Sequence, residues 1–126
     1  MTTDTLTARA LDALDALVAA FAANDEDAHF GAFAPDAQLV FPDQDHTAIG
    51  VADYRALWRS WRAEGWGVAT CASSDRRVLV VGAVAIVTHR VSTTLADGTT
   101  LSERETVTFD LDADPGPQVV HEHLSA

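Results

Sequence analysis

The chain has 126 residues, 48% of them apolar and 21% charged, which is material for one buried core and too little length for two. Nineteen acidic residues stand against eight basic ones, all of them arginine, and the net charge of −11 excludes nucleic acid and membrane surfaces as natural partners. A single cysteine, Cys71, excludes an internal disulfide, no basic-then-apolar leader opens the chain, and the longest apolar run (Val78 to Val87) is too short to span a bilayer, so one cytoplasmic domain over residues 1–126 is expected.

The first predicted element is a helix over residues 4–23. Leu6, Ala10, Leu14, Leu17, Val18 and Phe21 recur every three or four positions, with Asp12 and Asp15 opposite. Asn24 marks its stop, and Asp25-Glu26-Asp27 places negative charge where a short second helix begins. That helix carries Phe30 and Phe33 inward and ends at Pro35. Ala37 to Phe41 reads as a strand, and Pro42-Asp43-Gln44-Asp45 as a loop, with His46 beyond it. From Val51 to Glu64 the helical spacing returns, with Tyr54, Leu57, Trp58 and Trp61 on one side and Arg55, Arg59 and Arg62 on the other. Gly65 and Gly67 close this third helix. The rest reads as strands: Val68 to Ser74, Val78 to Val81 running on through Gly82, Val84 to Leu95, Thr99 to Leu111, and Gln118 to Ser125. Ala96-Asp97-Gly98 is a hairpin turn between two long strands. Helices first and antiparallel strands after predict an α+β fold, a curved antiparallel sheet wrapped around three helices with a pocket at its open end.

The stretches Phe21 to Ala28 and Phe33 to Ala37 resemble the helix-helix-strand opening of nuclear-transport-factor-2-like domains. The ending Val119 to Ser125 is similar to the last strand of their SnoaL-like branch, and also to the association domain of calcium/calmodulin-dependent kinase II. Gly50, with Tyr54 and Trp58 behind it, resembles the branch's third helix. The resemblance implies a cone-shaped α+β barrel, dimeric or larger, with a pocket between helices and sheet, and no single activity. Against the ketosteroid isomerases of the superfamily, the helix-one tyrosine falls on Leu17 and the catalytic base on Phe41; Glu105 alone keeps an acid. Two apolar side chains in those places exclude that route of proton abstraction. Arg90 matches a pocket arginine of the association domain, while a second such position is held by Leu124.

With the resemblance setting which faces turn inward, Ile86, Thr88, Arg90 and Ser92, then Glu103, Glu105, Val107 and Phe109, then Val120, Glu122 and Leu124 are expected to line the pocket. Arg90, Glu105 and Glu122 would then meet among apolar walls. Either a carboxyl with a raised pKa serves as general acid or base while Arg90 holds a substrate oxygen, or the three groups simply neutralise one another. Tyr54, Trp58 and Trp61, with Leu17, Phe41, Val107 and Leu124, are the expected ligand contacts, the aromatic stripe being equally a core face. His121 and His123 share a strand face, opposite Glu122 and alongside Arg104, Thr106 and His89; they read as an outer surface that packs on a second subunit, with no third ligand to complete a metal site. Cys71 reads as a small buried hydrophobe. The functional expectation is a small-molecule pocket protein, without metal or cofactor, either an acid/base enzyme of isomerase, cyclase or hydratase type or a non-catalytic domain that dimerises through the outer sheet face.

Overall fold

The computed structural model describes residues 1–42 and 47–126. Helix α1 runs over Thr3–Ala22, capped by the Thr2 side chain on the Thr5 amide, and buries Ala10, Leu14, Leu17 and Ala20. Asn24, in the left-handed region at φ 55°, turns the chain out of α1, and its side chain pairs with both the amide and the carbonyl of Val68. Asp25 caps the short helix α2, Glu26–Gly31. The chain straightens into β1 (Phe33–Val40) earlier than Pro35 predicts: Gly31 and Ala32 end α2, and Pro35 sits inside the strand. Phe33 therefore enters the core from β1, beside Phe30 of α2.

The two-residue β2 (Ile49–Gly50) leads into α3 (Val51–Ala63), which buries Tyr54 and Trp58. Four long strands follow: β3 (Val68–Val81), β4 (Val84–Leu95), β5 (Thr100–Asp110) and β6 (Gln118–Ser125). The two predicted segments before Gly82 are one strand, interrupted by a bulge between Ser74 and Arg77 where Asp75 takes φ 52°. Gly98, at φ 90°, closes the hairpin between β4 and β5.

The sheet order is β2-β1-β6-β5-β4-β3, with β2 and β3 as open edges. All pairings are antiparallel except β1 with β6, which run parallel. That pairing brings the strand lying between the helices beside the last strand of the chain. The core lies between the inner sheet face (Ala85, Val87, Val107, Phe109 and Val119) and the helices, so the expected α+β cone is the observed one. An aromatic cluster (Phe21, His29, Phe30, Phe33, Tyr54, Trp58 and Trp66) ties α1, α2 and α3 together, with Trp58 stacked on the His29 ring. No helix among the described residues is long and apolar enough to cross a membrane.

Candidate functional site

At the open end of the cone lies a cavity of about 430 Å³. Its helical wall is Leu17, Val18 and Phe21 of α1, Tyr54 and Trp61 of α3, and Trp66, with Phe41 and Pro42 at the end of β1. Its sheet wall carries most of the polar groups (Cys71, His89 and Thr93, then Glu103 and Glu105, then Glu122 beside Leu124), with His29 of α2 and the Tyr54 hydroxyl on the helical side. A mostly apolar hollow with a few convergent polar groups is the usual form of a small-molecule site.

Strand register decides which side chains meet there. The β4–β5 ladder runs without a break from Val84↔Asp110 to Thr94↔Thr100, odd residues opposite odd and even opposite even. Glu105 therefore shares the inner face with its partner His89, and Arg90 shares the outer face with Arg104. The inner residues of β4 are Ala85, Val87, His89, Val91 and Thr93, and the expected inward set of Ile86, Thr88, Arg90 and Ser92 faces the other way. Arg90 is thus outside this cavity: its side chain is 47% exposed, with Nε 3.4 Å from Asp75. His89, expected on the outer face, is buried at the cavity. The hairpin signal at Ala96-Asp97-Gly98 carried this information, because a tight turn sets the parity of every pair behind it.

On β5 the inward residues are those expected, and on β6 all but Val120 are. Glu105 and Glu122 both line the cavity, as does Leu124. A bulge in the β5–β6 ladder after Thr108 moves Val119, rather than Val120, to the deepest position of β6. Leu17, Phe41, Tyr54 and Trp61 also line the cavity. Trp58 and Val107 do not; both are fully buried beneath it and serve packing. His46 lies outside the described residues. His123 is exposed on the outer face, where Arg77, Thr88, Arg90, Arg104 and Thr106 join it around a second depression.

His89 is the best-anchored polar group of the site. Its Nε2 lies 2.7 Å from Glu105 Oε1, and its Nδ1 lies 2.7 Å from Ser73 Oγ. Ser73 Oγ accepts in turn from Arg76 Nε at 2.9 Å, and Arg76 Nη2 reaches Asp15 Oδ1 of α1 at 2.6 Å. Glu122 has no such support: among the described residues no cation pairs with it. Burial, reinforced by the neighbouring charge of Glu105, pushes its carboxyl well above the ordinary range. On the helical side, His29 Nε2 and Tyr54 Oη are 2.9 Å apart. Burial lowers His29 to about 4 and, with the charges of Glu122 and Glu105, raises the Tyr54 phenol. Burial likewise raises the Cys71 thiol, which contacts Thr93 Oγ1 at 3.7 Å. One carboxyl whose ionised form burial disfavours, near a second within hydrogen-bond distance of an imidazole, is an arrangement able to give a proton at one point and take one at another.

A family described as a SnoaL-like domain matches residues 10–126. Among solved structures the chain is similar to an NTF2-like protein from Cytophaga hutchinsonii ATCC 33406, with a TM-score of 0.81 at 15% identity over 100% of this chain and 99% of that one. It is similar to an NTF2-like protein of unknown function from Pseudomonas putida KT2440, with a TM-score of 0.80 at 20% identity over 100% and 89%. It is also similar to a CaMKII hub from S. rosetta, with a TM-score of 0.74 at 26% identity over 93% of each chain. No curated protein sequence matches it.

Proposed function

The chain belongs to the SnoaL-like family, and on that premise we propose that its cavity binds a compact, largely apolar molecule bearing a carbonyl or hydroxyl oxygen and acts on it by acid–base chemistry. The observation that carries this reading is the pair of carboxyls, Glu105 and Glu122, in one apolar cavity with His89 2.7 Å from the first. Glu122, kept protonated by burial and by its neighbour's charge, is the proton donor to the ligand oxygen. Glu105, accepting from His89, takes a proton from the adjacent carbon or hydroxyl. Protons balance across such a cycle, as isomerisation, cyclisation and dehydration each require. Leu17, Phe41, Trp61 and Leu124 exclude water and shape the apolar part of the ligand. Arg90 has no part in it.

The test is a thermal-shift screen of small cyclic ketones, enones and hydroxylated aromatics at pH 7. A ligand at a hundred times its Kd adds about 2.7 kcal/mol, which is several degrees for a domain of this size. The expected result is a compound that stabilises the parent chain and loses most of that effect on Glu105→Gln. Equal stabilisation of both proteins removes Glu105 from the site.

The likeness to the CaMKII hub favours a second reading, a domain whose work is assembly through the outer sheet face. Its test is sedimentation of a Thr106→Arg, His121→Asp variant. A species smaller than the parent supports it, and an unchanged size rules it out.

A further inference from the structure

Ser73, His89 and Glu105 form an unbroken hydrogen-bonded run, and its order along the imidazole is the reverse of a hydrolase triad. In such a triad the orienting carboxylate holds Nδ1, and the nucleophilic hydroxyl meets Nε2. Here the hydroxyl of Ser73 is at Nδ1 and the carboxyl of Glu105 is at Nε2, each at 2.7 Å. The group in the orienter's place is the serine, and the group in the reacting place is the glutamate.

Arg76 sets the direction of the run. A guanidinium only donates. Its Nε gives a hydrogen bond to Ser73 Oγ, while Nη2 is anchored on Asp15 of α1. Ser73 has one hydroxyl hydrogen left to give, and His89 Nδ1 is the acceptor at hand. Nδ1 is then unprotonated, the ring proton sits on Nε2, and that proton points at Glu105 Oε1. A protonated Nδ1 would bring two N–H groups onto Ser73 Oγ and leave its own hydrogen without this partner. The His89 side chain has 0% exposure, so bulk water does not compete for either nitrogen.

We infer that Ser73 and Arg76 are positioning residues that hold His89 as a fixed Nε2–H donor to Glu105, and that Ser73 is not a nucleophile. Placement agrees with this: Glu105 lines the cavity, whereas Ser73 stands outside its lining. The inference deepens the proposed function, since it makes Glu105, rather than His89, the group left to accept a proton from a ligand. The hydrogen-bond direction itself holds whether or not any ligand binds.

The experiment is a long-range proton–nitrogen correlation on the ¹⁵N-labelled full chain at pH 7, with the ring of His89 assigned from a His89→Gln variant. The expected spectrum shows a protonated Nε2 and a bare Nδ1. Ser73→Ala leaves Nδ1 without its donor and is expected to let a share of the rings take a second proton there, beside the Glu105 carboxylate. Ser73→Thr, which keeps the hydroxyl on a strand-compatible side chain, is expected to restore the bare Nδ1. An Nδ1 as bare in Ser73→Ala as in the parent overturns the positioning role. A protonated Nδ1 in the parent chain overturns the inference, whether as the other tautomer or as an imidazolium. So does covalent labelling of Ser73 by a fluorophosphonate, which reports an activated hydroxyl and needs no variant. Because neither readout involves a cavity ligand, a negative thermal-shift screen and a wrong tautomer are separate failures.

Discussion

Glu122 shows what burial does to one side chain. Its carboxyl is enclosed among apolar groups and faces a second glutamate, so its ionised form is disfavoured in the folded chain. The folded state then holds a proton that the unfolded state has released, and stability falls as pH rises from the unfolded value of 4.5 through the raised folded one. His29 acts with the opposite sign. Held down to about 4, it lowers stability as pH falls below 6.5 and is silent above that. The Glu122 effect is therefore read cleanly above pH 6.5. Glu122→Gln is expected to be more stable than the parent there, by a margin that widens with pH until the carboxyl has fully ionised. Urea unfolding at pH 6.5, 7.5 and 8.5 checks this, and a variant less stable than the parent contradicts it. Of the site's polar residues, Glu122 could be read from strand alternation between Val120 and Leu124, and Glu105 from its place two residues before Val107 and four before Phe109. His89 and Arg90 are adjacent and both polar, but His89 has Val87 and Val91 two residues away and Arg90 has Thr88 and Ser92, so alternation points to His89 as the inward residue. The hairpin register agrees, and only the family resemblance put Arg90 inside.

Among the elements, the joint between α1 and β3 depends on one residue. Asn24 terminates α1 in a left-handed conformation, and its side chain pairs with Val68 as a neighbouring strand would, donating to the carbonyl at 2.9 Å and accepting from the amide at 2.8 Å. Two such bonds contribute about 1–3 kcal/mol together. Asn24→Gly loses them but adopts the backbone freely, whereas Asn24→Ala adds about 1–2 kcal/mol of left-handed strain. Denaturant midpoints should fall in the order parent, Gly, Ala, and equal midpoints for Gly and Ala would show that the backbone is not held at that φ. The sequence marked Asn24 as a helix stop from its residue type. Its role as a clip on β3 depends on a partner 44 positions away. The early start of β1 has a similar cause: Pro35 reads locally as a helix terminator, but Phe33 already pairs with Val119 of β6.

At the scale of the whole molecule the charge balance dominates. Nineteen acidic residues against eight arginines make the surface repel itself. Several arginines are committed to local pairs, Arg55 and Arg59 to Glu26 and Arg76 to Asp15. Raising ionic strength from about 0.01 M to 0.15 M shortens the screening length from about 30 Å to about 8 Å, which weakens long-range repulsion more than these contacts. The Tm is expected to rise over that range in a scanning calorimeter. A falling Tm would mean that the ion pairs outweigh the repulsion.

The sequence by itself determined the α+β order, the helical faces and the long hairpin, because hydrophobic period and turn chemistry act over a few residues and are written locally. It also determined the polar content of the cavity's sheet wall on β5 and β6. Only the tertiary structure decided the parallel docking of β1 on β6 and the bulges that move Val119 inward and carry Arg76 to Ser73. Each of these depends on which strands lie side by side and in what phase, and a shift of one residue turns a buried side chain out to solvent.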